Sequence, residues 1–268
     1  MIDLNFLPPA PDSAPNNLGG TVAEIVLNNP RSLNALNSAD IAELSAVLSR
    51  AAEEKPRALL LRGEGKGFCA GRNIKGLDPR EDDATAFLAT EVTPLLKQID
   101  DFPAPTFAAV HGPCLGVGLG LALACDVVYV AEDASFGSPF GNLGATLDSG
   151  GHSLFVERLG THRTMDLIIT GELISGLEAV RAGLFSKALP AAELVEFSRE
   201  TARRAARGAT LSYLASRALV QDLRDHGVGL WSSVEAENIV QGKLCSTEDY
   251  LEGFAAFNAK RTPHFKGA

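Results

Sequence analysis

The spacing of apolar and polar positions changes several times along the chain, and each change marks an element. Residues 21–27 alternate, and residues 58–61, 106–110 and 127–131 are short apolar runs. Each reads as a strand, with 58–61 and 106–110 buried. Residues 184–189 read as a strand-like return. Between the strands the period becomes helical. Ile41, Leu44, Val47 and Leu48 make one apolar face, with Ser38 as the expected N-cap and an end near Pro56. Phe87, Leu88, Leu95, Leu96 and Ile99 mark a second helix, which Pro94 should kink. Residues 119–125, 153–159, 163–170 and 177–182 read as further helices. From Ala191 onward the pattern is helical throughout, with breaks at Gly208, Gly227 and Thr247.

The remaining stretches read as loops. Residues 1–20 hold four prolines and little periodicity and read as a surface lead-in. Residues 76–83 are polar, of mixed charge, and read as mobile. Residues 136–151 form a long irregular segment with five glycines. The fold class is therefore α/β, with an expected core over residues 1–208 and a helical region over 209–268. No sequence repeat is visible, although the strand–strand–helix rhythm suits a superhelical core.

Composition narrows the classes. The 46% hydrophobic and 21% charged content is that of an ordinary soluble globular protein. The 24 basic against 33 acidic side chains give a net charge of −9, which argues against nucleic acid and anionic membranes as partners. No apolar run reaches membrane-spanning length, and the N-terminus, with Asp3 and no basic cluster, does not read as a signal peptide. Cys69, Cys114, Cys125 and Cys245 lack C-x-x-C spacing and nearby histidine pairs. They read as reduced thiols in a cytoplasmic protein with no metal site.

The stretch with the clearest chemistry runs from Ala109 to Asp126. A buried strand ends at Gly112 and Pro113, Gly116, Gly118 and Gly120 follow at alternate positions, and an apolar helix begins. A helix start leaves backbone N–H groups unpaired and carries partial positive charge. The turn is either a tight packing device or an anion or oxyanion pocket. No Lys-Ser/Thr follows the glycines, so it is not a phosphate-binding P-loop, and the spacing is not that of a dinucleotide fingerprint. A second glycine-rich turn, residues 63–71, directly follows the strand at 58–61.

In order along the chain, Asn29-Pro-Arg-Ser-Leu-Asn-Ala-Leu36, Gly67-Phe-Cys-Ala-Gly-Arg-Asn-Ile-Lys75, Ala109-Val-His-Gly-Pro-Cys-Leu-Gly-Val-Gly118, Ala124-Cys-Asp126 and the terminal stretch from Glu248 to Arg261 resemble the enoyl-CoA hydratase/isomerase family, the crotonases. The resemblance implies a crotonase (ClpP-like) spiral of ββα units and a C-terminal helical region that packs against neighbours in a homotrimer or a dimer of trimers. It implies an acyl-CoA thioester as substrate and no separate cofactor. It places the backbone N–H groups of Arg72 and Val117 as an oxyanion hole. Leu33, Ala35, Ala70, Ile74, Lys75, Gly116 and Phe140 become expected substrate contacts. Phe257 and Lys260 lie where family members touch the CoA adenine or ribose phosphate, often across a subunit boundary, although Lys260 also fits a plain surface lysine. The Arg72 side chain can reach a CoA phosphate or stay solvated, and solvation is the favoured expectation.

The acid–base groups depart from the hydratase pattern. The two glutamates of a family hydratase correspond to Gly120 and Phe140 here, so both carboxylates are absent. Asp148 stands in Phe140-Gly-Asn-Leu-Gly-Ala-Thr-Leu-Asp-Ser-Gly-Gly151. That pattern resembles 1,2-epoxyphenylacetyl-CoA isomerase and related enoyl-CoA isomerases. An isomerase needs one base that lifts a proton and returns it to another carbon. Asp148, beside Phe140 and Leu147, is the expected base, with the N-cap of the helix that follows as the alternative role. His152, four residues on, could tune it. His111 reads as support for the site, Asp126 as structural, and Glu132 and Asp133 as a solvated turn. The alternatives are a hydratase despite the missing glutamates, a dehalogenase-like enzyme with Asp148 as nucleophile, and a non-catalytic acyl-CoA binder. The second resembles cases with Trp where this chain has Phe140, and the only tryptophan is Trp231.

Overall fold

The computed structural model describes residues 2–8 and 20–268. A six-stranded sheet forms the centre, in the order β1 (Ile2–Leu7), β2 (Val22–Leu27), β3 (Ala58–Gly63), β4 (Thr106–Val110), β5 (Val127–Ala131) and a last strand at Lys187–Leu189. Strand β1 runs antiparallel to β2, and every other neighbouring pair is parallel. Strand β1 corrects the reading of residues 1–20 as a loop. Its apolar residues alternate with Asp3 and Asn5 on a half-exposed sheet edge, which dilutes the pattern, and residues 9–19 of that stretch lie outside the described residues. Strand β2 is buried at all six positions, because it lies between two neighbours and under helices on both faces.

Helix α1 (Ser38–Glu53) follows β2. Its N-cap is Asn37 rather than Ser38: the Asn37 side chain accepts from the Ala39 and Asp40 N–H groups while Asp40 accepts from the Asn37 N–H. After β3 come α2 (Ala84–Phe87), a π turn at Leu88–Val92, and α3 (Thr93–Asp100). The expected kink is this widened turn, which ends just before Pro94 and absorbs the missing N–H. Helix α4 (Val117–Leu123) follows β4. Residues 136–151, read as wholly irregular, start with strand β6 (Ser135–Gly137) and a 3-10 turn at Pro139–Leu143. Helix α5 (Gly151–Thr170) joins the two helices expected there and bends at Gly160. Strand β7 (Leu173–Ser175), too short to register in the pattern, pairs with β6. Helix α6 (Gly176–Arg181) and strand β8 (Lys187–Leu189) complete the sheet. Helices α7 (Ala191–Ala206), α8 (Thr210–His226), α9 (Leu230–Leu244) and α10 (Glu248–Asn258) start and stop close to the breaks read from Gly208, Gly227 and Thr247.

The repeat hidden in the sequence lies in the pairings beyond the main sheet. Single bridges join Leu36 to Arg72, Cys69 to Cys114 and Pro113 to Ser135, and β6 continues the series into β7. Each turn of chain supplies one strand to the large sheet, one short extended segment to this second layer, and then a helix. The segments after β2, β3, β4 and β5 are thereby stacked side by side, and they carry the site.

Charge pairs bind the layers. Glu24, buried on β2, accepts two bonds from the Arg199 guanidinium of α7 (2.7 and 3.0 Å) and faces Arg62 of β3. Burial alone would raise the Glu24 pKa, but the Arg199 bond and both guanidinium charges outweigh it and hold the carboxyl below its ordinary value. Asp126 accepts from the Thr106 N–H and hydroxyl and from Arg217 of α8, whose guanidinium also donates to the carbonyls of Phe102 and Ala104. This tie fastens the C-terminal helices to the start of β4. Among the described residues, no helix is long and apolar enough to cross a membrane.

Candidate active site

The second layer places two backbone N–H groups side by side. In the bridge between Leu36 and Arg72, the Leu36 N–H donates to the Gly71 carbonyl and the Leu36 carbonyl accepts from Asn73. Arg72 itself therefore faces the other way. Its N–H has no partner among the described residues, and neither does that of Val117, the first residue of α4. The residue before the helix, Gly116, has no side chain with which to cap it. Gly71 brings the two donors together: with φ at +96°, its missing Cβ would stand 2.8 Å from the Leu115 carbonyl oxygen and 3.7 Å from the Val117 nitrogen.

Gly116 does the same on the next turn of chain. A Cβ there would lie 3.0 Å from Phe140 Cζ and 3.6 Å from Asp148 Oδ1. The aromatic ring and the carboxylate therefore flank the residue next to the Val117 donor. Asp148 is half-buried and accepts at Oδ1 from the Ser149 hydroxyl, 2.8 Å away. The structure removes the helix-cap alternative: α5 is capped at Gly150 with no side-chain bond, and only the Asp148 backbone carbonyl touches that turn. Ser149 holds a left-handed conformation (φ 54°), a strained choice for a residue with a side chain, and it turns the chain sharply between carboxylate and helix.

Gly120 is sealed. A Cβ there would stand 2.6 Å from Ser149 Cβ, 2.9 Å from Ser149 O and 3.1 Å from Leu96 Cδ1. The wall that would receive a side chain from α4 is filled by the same loop that carries Asp148.

The loop at 29–36 abuts the first donor. The Ala70 N–H donates to the Leu33 carbonyl at 3.0 Å, and Ala35 lies half-buried beside them. Leu33 and Asn34 are both left-handed. Asn34, not singled out from sequence, is the staple: buried, it accepts from the Asn29 N–H (2.8 Å) and donates to the carbonyls of Glu64 (3.0 Å) and Gly67 (2.8 Å). Its only sequence signal is a polar residue inside the otherwise apolar stretch from Leu33 to Leu36. Ile74 and Lys75 follow Arg72 onto an exposed rim.

Several expectations are corrected. The Arg72 side chain is not solvated. It forms a two-pronged pair with Asp82 (2.6 and 2.8 Å) and lies 4.0 Å above the Phe87 ring. The bond from Arg72 holds the Asp82 carboxyl below its ordinary pKa. Residues 76–83 are therefore fastened at Asp82. His152 does not reach Asp148; it is exposed, with Nε2 3.5 Å from the Thr146 hydroxyl. His111 bonds the Gly65 carbonyl at 3.0 Å and so braces the glycine turn before Gly67. Phe257 and Lys260 are not brought to this site within one chain. Both are exposed, Phe257 on α10 and Lys260 in the turn just beyond it, and Phe257 lines a separate apolar cavity of about 490 Å³ among α8, α9 and α10. All four cysteines are free. Burial pushes the Cys69 thiol up to about 12, so Cys69 and its bridge partner Cys114 act as packing groups beneath the donors. Among the described residues, no group of acidic, histidine or cysteine side chains could hold a metal ion.

The stacked strand–segment–helix turns are those of the crotonase fold, and they set paired backbone N–H groups beside a carboxylate. The comparison with known proteins agrees: residues 17–268 match the enoyl-CoA hydratase/isomerase family model, and the chain belongs to that family. A probable enoyl-CoA hydratase from Rhodobacter capsulatus is 35% identical over 92% of this chain and 95% of its own. The 2,3-dehydroadipyl-CoA hydratase of Escherichia coli is 33% identical over 91% of this chain and 94% of its own. The crystal structure of enoyl-CoA hydratase from Bacillus anthracis superposes with a TM-score of 0.86 at 29% identity, covering 100% of this chain and 99% of that one.

Proposed function

We propose that this enzyme is an acyl-CoA isomerase that moves a double bond, or opens a strained ring, through a thioester enolate. The observation that carries the reading is the placement of one carboxylate, Asp148, beside Gly116 and the unpaired Val117 N–H, together with the sealing of Gly120 by Ser149. The thioester oxygen accepts from the N–H groups of Arg72 and Val117. Negative charge grows on that oxygen as Asp148 removes a proton from the acyl chain, and each donor is worth about 3–4 kcal/mol to that transition state. Asp148 then returns the proton to a different carbon. The Ser149 hydroxyl, bonded to Oδ1, leaves Oδ2 for the substrate. The loop from Leu33 to Ala35, with Ala70, Ile74 and Lys75, lies along one side for the coenzyme, and Phe140 covers the acyl chain. The reaction needs no cofactor beyond the coenzyme A of the substrate.

Hydration is the second reading, favoured by the names of the relatives. It requires a carboxylate to position water and an acid to protonate carbon, and the two places where family hydratases keep them hold Gly120 and Phe140. The test is to offer crotonyl-CoA and a 3-enoyl-CoA side by side. Conversion of the 3-enoyl to the 2-enoyl thioester with negligible water addition supports isomerisation. Rapid loss of the conjugated-thioester absorbance with crotonyl-CoA overturns it.

Assembly belongs to the same proposal. Leu230, Trp231, Leu251, Phe254 and Phe257 leave a broad apolar surface exposed on α9 and α10. A homotrimer or a dimer of trimers, in the cytoplasm, would cover it and would bring Phe257 and Lys260 toward a neighbouring site.

A further inference from the structure

The residue that supplies one oxyanion donor is held by its own side chain, and this is a device of this chain rather than of the reaction. From Arg72 through Ala86 no residue is buried; the next buried side chain is Phe87. The segment leaving the first donor thus has almost no apolar packing to fix its course. Its backbone pairs with the neighbouring turn of chain only up to Asn73; beyond that it makes only local turn bonds, Leu77 N–H to the Ile74 carbonyl and Glu81 N–H to the Asp78 carbonyl. Two side-chain contacts close it. The Arg72 guanidinium meets both carboxylate oxygens of Asp82, and its face rests on the Phe87 ring at the start of the helical stretch. Both partners are largely withdrawn from water, with 22% and 18% of their side chains exposed. Such a planar, two-pronged pair fixes orientation as well as distance.

We propose that Asp82 is a positioning residue for catalysis: through the Arg72 guanidinium stacked on Phe87, it fixes the angle of the Arg72 N–H toward the thioester oxygen and holds the course of residues 73–81 as they leave that donor. The inference rests on the oxyanion role given to Arg72 above. Asp82 touches neither thioester nor acyl carbon, so its removal should spare binding of coenzyme A and cost polarisation of the carbonyl. Misplacing a reacting contact by about 1 Å can slow a reaction about 100-fold, so a donor that wanders on a loosened segment should cost tenfold or more.

The experiment compares wild type with Asp82→Asn and Asp82→Glu, using a non-reacting saturated acyl-CoA labelled with ¹³C at the thioester carbonyl. Infrared difference spectroscopy reads the carbonyl stretch when bound, and calorimetry reads the affinity. The expected result is a carbonyl shifted to lower frequency in wild type, a shift largely lost in Asp82→Asn with affinity changed less than about threefold, and recovery in Asp82→Glu. Turnover should follow the same order, falling tenfold or more in kcat with little change in KM. An unchanged shift in Asp82→Asn overturns the positioning role, and so does an affinity that falls in step with the shift and with the melting temperature. No shift in wild type points instead to failure of the oxyanion assignment itself, and the clamp proposal falls with it. The infrared readout needs no turnover, so a shift that depends on Asp82 supports the clamp even if the isomerase reading fails.

Discussion

Gly120 and Ser149 are packed so closely that the first atom of any side chain at Gly120 would stand 2.6 Å from Ser149 Cβ. The two residues belong to different turns of the chain, one on α4 and the other between Asp148 and α5. Their contact couples the helix that starts at the Val117 donor to the loop that carries the carboxylate. A side chain at residue 120 therefore requires Ser149, the residue next to Asp148, to move.

From this contact follows a first prediction. Gly120→Ala should push Ser149 and Asp148 outward, lower stability by about 1–3 kcal/mol as overpacking does, and slow turnover. Gly120→Glu should not confer hydratase activity. Denaturant melts and the crotonyl-CoA assay check both. A folded Gly120→Glu variant with substantial hydration would show that the loop yields more readily than its packing indicates.

Asn34 is predicted to matter through three bonds rather than through the substrate. Asn34→Ala leaves the buried Gly67 carbonyl, and the part-buried Glu64 carbonyl and Asn29 N–H, without this partner. A buried orphaned group costs about 1–3 kcal/mol, and the two part-buried ones cost less because water reaches them, so a loss of about 2–4 kcal/mol is expected in urea melts. Weaker CoA affinity should accompany it, because the left-handed Leu33–Asn34 turn would lose its staple. A variant within about 0.5 kcal/mol of wild type would contradict this.

The acid limb of stability should depend on Glu24. Its folded-state pKa is lowered because the Arg199 and Arg62 contacts outweigh the cost of burial. A carboxyl whose pKa is lower folded than unfolded contributes stability that is fully present above the unfolded pKa. That contribution is lost as pH falls through the folded one. Glu24→Gln should therefore be less stable than wild type at neutral pH, and the difference should shrink below pH 4 or so. Parallel stability–pH curves for the two proteins would rule out this role.

These particulars show what the chain discloses before it is folded. Strands β4 and β5 and the helix breaks at Gly208, Gly227 and Thr247 are legible because buried apolar runs and glycines act locally. The two donor segments are legible because glycines at 71 and 116 mark close backbone approach. Strand β1 is not, since an edge strand shows only half a pattern. Strand β7 has three residues and is fixed by pairing with β6 alone. Of the site, the Arg72–Asp82 clamp stays hidden because two opposite charges ten residues apart in a polar loop look like any solvated pair. The role of Asn34 stays hidden because its bonds go to backbone atoms thirty and more residues away. Asp148 is visible as a carboxylate in the right neighbourhood. Its release from helix capping is visible only once Gly150 is seen to take that place.

The most direct test of the account is proton exchange into the acyl chain. Wild type and Asp148→Asn, each incubated with a panel of acyl-CoAs in D₂O, are followed by NMR or mass spectrometry. The account predicts that deuterium enters the acyl chain with wild type, at carbons conjugated to the thioester, and at least a hundredfold more slowly with Asp148→Asn, while acyl-CoA still binds the variant. Equal exchange by both proteins, or binding by wild type with no exchange from any substrate, would contradict Asp148 as the proton shuttle of an enolate reaction.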